Sequence, residues 1–281
     1  MPVIDRPKIL VHAEEMPPTP QILCKIQSCM QDPNADLQDL VKLIRMDATL
    51  AAQIVRLSNS SYYGCAIPSE NVMEAVQRLG FREVHRLVGL VASKQLFGAA
   101  APVYRMKAGE LWDQSISRAI AMDTYAKIVG VNNDTAYTIG LLHGIGKIIV
   151  NKCTLESGLS FYDEDEDAEP ITPEFEKRIL GFHFAEVGGI LLESWKFTQE
   201  VILPVKFQIA PQEAPDQRVM TSLLYLANHV MDQWRFGQEI DLSNVPDLEE
   251  VLEIAGLKSE QLIEAMDPIN EAVGKVREEF N

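Results

Sequence analysis

The stretch that decides the fold is YTIGLLHGIGKIIVNK, residues 137–152. It is apolar over most of its length and predicts a single helix. His143 and Lys147 lie four residues apart and therefore share one face of that helix. Its three glycines each cost about 1 kcal/mol in a helix interior, which indicates that another backbone or a ligand comes close. Tight packing around a hydrogen-bonded core histidine is the ordinary interpretation, and a binding site is the more specific one.

The composition is that of a folded protein with an acidic surface. The 281 residues are 47% hydrophobic and 23% charged, which fits one large domain or two smaller ones. Lys and Arg total 25 against 41 Asp and Glu, so the formal net charge is −16. Because binding to a phosphate backbone depends on clustered Lys and Arg, this balance argues against a nucleic-acid partner. The acidic excess is most simply a solubility feature.

The cysteines and the N-terminus indicate where the protein works. Cys24, Cys29, Cys65 and Cys153 form no CxxC pair and no zinc-ligand spacing, as expected for reduced thiols of an intracellular protein. The N-terminus has no charged-then-apolar signal region, and no apolar run approaches the ~20 residues needed to span a bilayer. We therefore expect a cytoplasmic protein that does not enter a membrane.

Helical patterns follow one another along the chain, and the sequence predicts an all-α fold. Residues 1–15 have little pattern and predict an extended lead-in. Helix starts are predicted at Thr19-Pro20, Asp36, Asp47, Asn132 and Thr172-Pro173. Leu79-Gly80 predicts a helix end with a glycine C-cap. The acidic run at 163–169 is expected to be a solvated loop.

Breaks in the pattern divide the chain into three predicted segments. The stretch Ala99-Ala100-Ala101-Pro102 separates an N-terminal helical sub-bundle, residues 1–100, from a second bundle, residues 101–236. A C-terminal helical extension follows at residues 237–281.

Two features are candidates for an interaction surface. The extension carries an amphipathic stripe, interrupted at Asp267-Pro268, which consists of Leu262, Met266, Ile269, Val273, Val276 and Phe280. Packing on its own domain is the expected role of this stripe, with a docking surface or a homodimer seam as the alternative. The polar cluster Ser58–Gly64 is the second feature, with Ser58, Asn59, Ser60 and Tyr62 as candidate contact residues.

Six short motifs occur in a characteristic order: MPPTP at 16–20, IRMDATL at 44–50, LSNS at 57–60, AVQRLG at 75–80, GLLHGIGK at 140–147 and FHFAEVG at 182–188. This ordered set resembles the HDOD domain, a bacterial signalling-output relative of the HD metal-dependent phosphohydrolases, over about residues 10–235. The resemblance implies an N-terminal helical bundle packed against an HD-like helical bundle. In catalytic HD relatives, histidines and aspartates from several helices hold one or two metals that generate hydroxide.

Most positions that the resemblance aligns with these ligands carry other residues. The paired His-Asp is His143-Gly144, and His183 is retained, whereas the remaining positions are Gln114, Phe207, Gln208 and Asn228. Two neutral imidazoles without a carboxylate are a poor site for Mg, Mn or Fe, and they fall short of the three ligands of a catalytic zinc. We therefore expect no bound metal and no cofactor, with His143 and His183 as the remaining candidate ligands.

Three functions remain open on this sequence. The first is a non-enzymatic signal-transduction module that binds a protein partner in a bacterial regulatory pathway, with the old metal pocket kept as packed core. The second is a metal-dependent phosphohydrolase of the phosphodiesterase type with unusual ligands, built on His143, Lys147 and His183. The third is a pocket that binds a nucleotide or small anion without turnover, anchored by the same three residues. The loss of ligands at several positions favours the first.

Overall fold

The computed structural model describes residues 5–16, 19–31, 36–60, 63, 68–158, 171–235 and 240–280. Its helices are α1 (Arg6–Glu14), α2 (Thr19–Gln31), α3 (Leu37–Arg45), α4 (Ala48–Ser58), α5 (Val72–Phe97), α6 (Glu110–Val129), α7 (Asn133–Leu142), α8 (Ile145–Glu156), α9 (Pro173–Leu180), α10 (Phe184–Ser194), α11 (Gln199–Lys206), α12 (Arg218–Arg235), α13 (Leu248–Ala255), α14 (Ser259–Glu264) and α15 (Met266–Phe280). Throughout these ranges every regular element is a helix, apart from one isolated antiparallel bridge between Ala101 and Met106. The predicted all-α fold is confirmed. Within the same ranges, no helix is both long and apolar enough to cross a bilayer.

The chain divides into two compact units. One unit comprises Met1–Met16 and Phe97–Glu271, and the other comprises Pro17–Leu96 and Ala272–Asn281. These units do not coincide with the three predicted segments, because the first residues of the chain group with the larger unit. The predicted extension from residue 237 onward is likewise divided between the two units.

Helix α6 is the centre of the larger unit. It packs against α7 and α12, while α8 packs against α10, and α11 contacts α7, α10 and α12. Ile116, Ala119, Met122 and Tyr125 are buried at helical spacing along α6. Burial of each large apolar side chain stabilises the fold by about 1.5–3 kcal/mol, so this helix ties its neighbours into one core.

The predicted central helix is broken in two. Residues 137–152 form the end of α7 and most of α8, which are separated at His143 and Gly144, where Gly144 has φ −90° and ψ 6°. A Cβ on Gly146 would lie 1.9 Å from the carbonyl oxygen of Phe184, and a Cβ on Gly140 would lie 2.5 Å from that of Arg118. The prediction of one continuous helix is wrong, whereas tight packing at these two glycines is confirmed.

Within the predicted extended lead-in, Arg6–Glu14 are helical and not extended. The side chain of Asp5 caps α1 by accepting a hydrogen bond from the backbone N–H of Lys8 at 2.9 Å. Ile9 and Ala13 are buried, and α1 packs against α8 and α10. The sequence does not predict this helix, because its nine residues are too few for a stable isolated helix. Its stability comes from tertiary packing.

The predicted helix caps are observed wherever the structure describes them. Asp36 accepts a hydrogen bond from the N–H of Asp39, and Asp47 accepts hydrogen bonds from two N–H groups of α4. Asn132 caps α7, and Thr172 caps α9 through the N–H of Phe175 at 3.2 Å. The side chain of Thr19 and the acidic run at 163–169 lie outside the described residues.

The smaller unit contains α2 to α4, nearly all of α5 and the end of α15. Helix α3 packs against α2 and α4, with Ile26, Leu40 and Ile54 fully buried. Within α5, Gly80 has φ +77° and interrupts the helical backbone. The predicted glycine-terminated helix end is therefore confirmed.

The apolar stripe of the C-terminal extension is buried. Its six residues, Leu262, Met266, Ile269, Val273, Val276 and Phe280, are at most 8% exposed. The stripe thus packs within its own chain, as expected, and the alternative of a docking surface there is wrong. A homodimer stays a prediction, but the buried stripe is not its interface. The helix break falls at Ala265 between α14 and α15, just before the predicted interruption, because Pro268 is tolerated in the first turn of α15.

Candidate functional site

A cavity of about 410 Å³ lies within the larger unit. Its volume is in the range of small-molecule pockets in proteins. Helices α6, α8, α9, α10 and α12 contribute residues to its wall, and so does the break between α7 and α8 through His143. The polar and charged residues of the wall include Arg118, His143, Lys147, Glu176, Asn228 and Asp232.

His143 is buried in the wall with a defined tautomer. Its Nδ1 lies 2.7 Å from the carbonyl oxygen of Gly140, and a carbonyl only accepts, so Nδ1 carries the proton and donates. Burial holds the pKa of His143 well below its ordinary value, and the positive charges of Arg118 and Lys147 lower it further. The ring is therefore neutral at physiological pH, with the lone pair on Nε2.

An amide relay connects the middle of α12 to the break after α7. Nε of Arg118 donates to Oδ1 of Asn228 at 3.3 Å, and Nδ2 of Asn228 donates to Oε1 of Gln208 at 3.0 Å. Nε2 of Gln208 then donates to the carbonyl oxygens of His143, at 2.9 Å, and Val205, at 2.7 Å. Because a guanidinium can only donate, the direction of every bond in the relay is fixed.

Arg118 is a buried cation on α6. Its side chain is 3% exposed and forms an ion pair with Asp232, whose side chain is 55% exposed. Nη2 of Arg118 donates to this carboxylate, while Nε is held by Asn228. The guanidinium is thus held in one orientation at the cavity wall.

A second polar cluster surrounds Lys147. The ammonium nitrogen of Lys147 lies 5.4 Å from the ring centroid of Tyr104 and 4.9 Å from that of Phe184. Glu176 is buried beside them and accepts hydrogen bonds from the hydroxyl of Tyr104 at 2.5 Å and the N–H of Phe184 at 2.6 Å. Burial raises the pKa of Glu176 to about 7, although both hydrogen bonds and Lys147 oppose the rise.

The structure brings together half of the residues that were predicted as a remnant HD site. His143, Lys147, Gln208 and Asn228 line the cavity. Gln114, Gly144, Phe207 and His183 are not part of its wall. The third hypothesis therefore keeps two of its three anchors.

His183 has a structural role. It is the N-cap of α10, and its Nδ1 accepts a hydrogen bond from the backbone N–H of Glu186 at 3.3 Å. Its Nε2 lies 3.6 Å from the carboxylate of Glu186, which also pairs with Lys177 at 2.9 Å. Burial lowers the pKa of His183, while Glu186 raises it. Both ring nitrogens thus have partners, so we do not expect this histidine to bind a metal or an anion.

The donor set of the cavity does not fit a metal centre. In the part of the chain that the structure describes, no group of three or more His, Cys, Asp or Glu is placed to hold a metal ion. The carboxylates in the wall are engaged, Glu176 by two hydrogen-bond donors and Asp232 by Arg118. The positive charges near His143 also repel a divalent cation. That the protein binds no metal stays a prediction, now with an electrostatic reason.

Several residues of the site were missed by the sequence analysis. Arg118 lies four residues after Gln114, and Asp232 lies four residues after Asn228, so each occupies the same helix face as an aligned position. That spacing could have identified both. Glu176 lies in the first turn of α9, and no local signal in the sequence marks it as buried.

The polar cluster after α4 is not the exposed surface that was predicted. Ser58 is fully buried, and its hydroxyl donates to the carbonyl oxygen of Val55. Asn59 pairs with the backbone of Ser69 in both directions, at 2.7 and 2.9 Å. Ser60 is half-buried, and Tyr62 lies outside the described residues. The prediction is wrong for Ser58 because a short polar side chain satisfied by its own helix can be buried.

Comparison with known proteins assigns the family. The HDOD domain family model matches residues 16–211. The chain belongs to the HDOD family. HDOD domains are related to the HD phosphohydrolases, which agrees with the ordered motifs in the sequence.

Individual relatives of this HDOD chain support the fold. A "Putative signal transduction protein" from Marinobacter aquaeolei VT8 is 26% identical with a TM-score of 0.65, covering 92% of this chain and 59% of that one. A "Putative phosphohydrolase" from Shewanella amazonensis SB2B is 22% identical with a TM-score of 0.63, covering 97% and 95%. An "Uncharacterized protein" of Treponema pallidum (strain Nichols) is 26% identical over 219 residues, 76% of this chain. This HDOD chain spans 42% of the length of that Treponema relative.

Proposed function

We propose that this HDOD protein is a regulatory output module that does not hydrolyse phosphoesters and acts through a protein partner in a bacterial signalling pathway. The amide relay carries the proposal. Gln208 and Asn228 occupy positions that the family resemblance aligns with metal ligands, yet their N–H groups and oxygens are used within the protein. A ligand must instead present a lone pair to the metal.

Loss of the metal removes the means of activating water. Phosphoester hydrolysis in HD relatives depends on a metal that generates hydroxide and neutralises the phosphate. Here His143 and His229 are the two imidazoles of the cavity wall, fewer than the three ligands of a catalytic zinc, and the positive charges of Arg118 and Lys147 act on His143. We therefore expect neither a resident metal nor another cofactor.

The regulatory half of the proposal has support from a relative. The Marinobacter protein named above carries a signal-transduction description, and its chain is longer than the matched region. That this chain has a protein partner and responds to an input signal is part of the same proposal. Cys153 is a free, buried thiol, which fits a reducing, cytoplasmic setting.

Hydrolysis of bis(4-nitrophenyl) phosphate with added Mn²⁺, Fe²⁺ or Zn²⁺ tests the enzymatic half. We expect the wild type to show no rate above that of His143→Ala. Gly144→Asp, which restores the family carboxylate, should be equally inactive because Arg118 and Lys147 remain. The backbone at Gly144 has φ −90°, and a Cβ there would be close to a side-chain carbon of Leu111, at 3.2 Å, which has to shift by a few tenths of an ångström. Metal-dependent turnover that His143→Ala abolishes would support the phosphohydrolase instead.

Copurification from the source bacterium tests the partner half. The tagged chain should retain a stoichiometric protein that an equally acidic, unrelated helical protein does not retain. Repeated isolation of the chain alone, at its cellular concentration and after cross-linking, would contradict a role through protein interaction.

A further inference from the structure

The charges in the cavity wall favour an anion. Arg118 and Lys147 are cations in this wall, whereas Asp232 and Glu176 are its acids. Glu176 is only partly ionised near neutral pH, because burial raises its pKa to about 7. Positive charge therefore exceeds negative charge in the wall, although the whole chain has a formal net charge of −16.

Arg118 has donors left for a ligand. Nε is bonded to Asn228 and Nη2 to Asp232. No described residue accepts a hydrogen bond from Nη1, so its two N–H groups are available at a wall whose other contacts hold the guanidinium still. A guanidinium fixed in this way binds a planar anion with little loss of side-chain entropy.

His143 offers a hydrogen-bond acceptor to a ligand, whereas Arg118 offers donors. Its Nδ1–H is used by the carbonyl of Gly140, and no described residue donates to Nε2. His143 lines the cavity, and its Nε2 is accessible there. A ligand that covers this lone pair without donating to it would leave an acceptor unsatisfied, which is costly. The group that satisfies Nε2 must therefore carry an O–H or N–H.

We propose that this cavity binds a small, singly charged organic carboxylate that carries a hydroxyl group beside its charge. The carboxylate lies on Arg118, close to Lys147, and the hydroxyl group donates to Nε2 of His143. The proposal goes beyond the proposed function and rests on it in one respect, that the bound molecule is not turned over. Such a ligand would be the input that a regulatory module requires.

The single charge follows from the acids in the wall. A dianion such as a phosphate monoester would face the carboxylate of Asp232 and the ionised fraction of Glu176 against the same two cations. A monoanion matches the small positive excess. The volume of about 410 Å³ leaves room for a small organic acid with bridging waters.

Thermal-shift and calorimetric titration of the full chain test the proposal. The probes are lactate and glycerate, with propionate as the analogue without a donor, and AMP and inorganic phosphate as the more highly charged analogues. At least one hydroxycarboxylate should raise Tm by about 2 °C or more at saturation. Propionate should bind about tenfold more weakly, since it leaves Nε2 of His143 unsatisfied.

Variants assign the binding to this cavity. Arg118→Gln should weaken the best probe by about tenfold or more, because it removes a charged hydrogen-bond donor while an amide can still reach Asn228. Lys147→Gln, which keeps the buried guanidinium, is the second variant if Arg118→Gln fails to fold. Lys152→Gln is the matched control. Lys152 lies on α8, as Lys147 does, but it pairs with Glu15 and is not part of the cavity wall. This variant should leave the affinity unchanged.

Three results would overturn the proposal. They are a flat response to every carboxylate, binding that persists in both Arg118→Gln and Lys147→Gln, or tighter binding of AMP or phosphate than of any carboxylate. Failure of the proposed function would look different. It would show as metal-dependent hydrolysis of bis(4-nitrophenyl) phosphate, whereas recovery of the unchanged carboxylate after binding supports both conclusions.

Discussion

At the residue scale, Arg118 determines what the cavity can hold. The sequence and the family resemblance identify His143, Lys147, Gln208 and Asn228, all of which line the cavity. They do not reveal Arg118, which orients the amides of the relay and brings a buried positive charge close to His143. Resemblance identifies positions where ligands have been lost, but it does not show what the replacing side chains bond to. That information depends on which helices pack together.

Glu176 gives a pH-dependent prediction at the same scale. Its pKa of about 7 lies above the ordinary value of 4.5, so its contribution to stability is fully present below pH 4.5 and is lost as the pH rises through 7. The loss amounts to about 3 kcal/mol. In urea unfolding between pH 4.5 and 7.5, Glu176→Gln should show a correspondingly smaller loss than the wild type. The exposed Glu174→Gln is the control, and equal pH profiles for wild type and Glu176→Gln would contradict this assignment.

At the element scale, the break between α7 and α8 places His143 and Lys147 in one cavity wall. Composition and spacing predicted the helix-forming residues correctly, including the caps at Asp36, Asp47 and Asn132. They did not predict the break, because nothing in the local pattern shows that α10 presses against Gly146. The short α1 was missed for a similar reason, since its stability comes from packing against α8 and α10.

Gly146→Ala tests the close approach of α8 and α10. Its Cβ would lie 1.9 Å from the carbonyl oxygen of Phe184 and 2.6 Å from the nitrogen of Gly188, both of them backbone atoms. We expect a loss of about 3 kcal/mol or more in the free energy of unfolding, measured by denaturant titration. Gly274→Ala is the matched control, because no atom lies within 4 Å of its Cβ. It should stabilise helix α15 by about 0.5–1 kcal/mol, and an unchanged stability in Gly146→Ala would contradict the packing described.

At the scale of the whole molecule, the site belongs to one compact unit. The cavity lies within Phe97–Glu271, and the resemblance over about residues 10–235 also covers most of the other unit. The all-α class could be predicted from the sequence because helical periodicity is local. The grouping of Met1–Met16 with the larger unit could not, because it depends on contacts between residues far apart in the chain.

The positively charged cavity wall lies in a chain that is strongly acidic as a whole. With a formal net charge of −16, the chain as a whole repels small anions. Arg118, at 3% side-chain exposure, keeps its charge in a setting where water and salt screen it little. Selection for an anion therefore has to come from the cavity itself and not from the surface.

Metal content by inductively coupled plasma mass spectrometry tests the central claim most directly. The wild type and Gly144→Asp are dialysed against Mn²⁺, Fe²⁺ and Zn²⁺, followed by metal-free buffer. With amides at two former ligand positions and cations beside His143, we predict less than about 0.1 metal ion per chain in both proteins. Nearly one metal ion per chain in the wild type, lost in His143→Ala, would contradict the claim that the site binds no metal. It would support the metal-dependent phosphohydrolase instead.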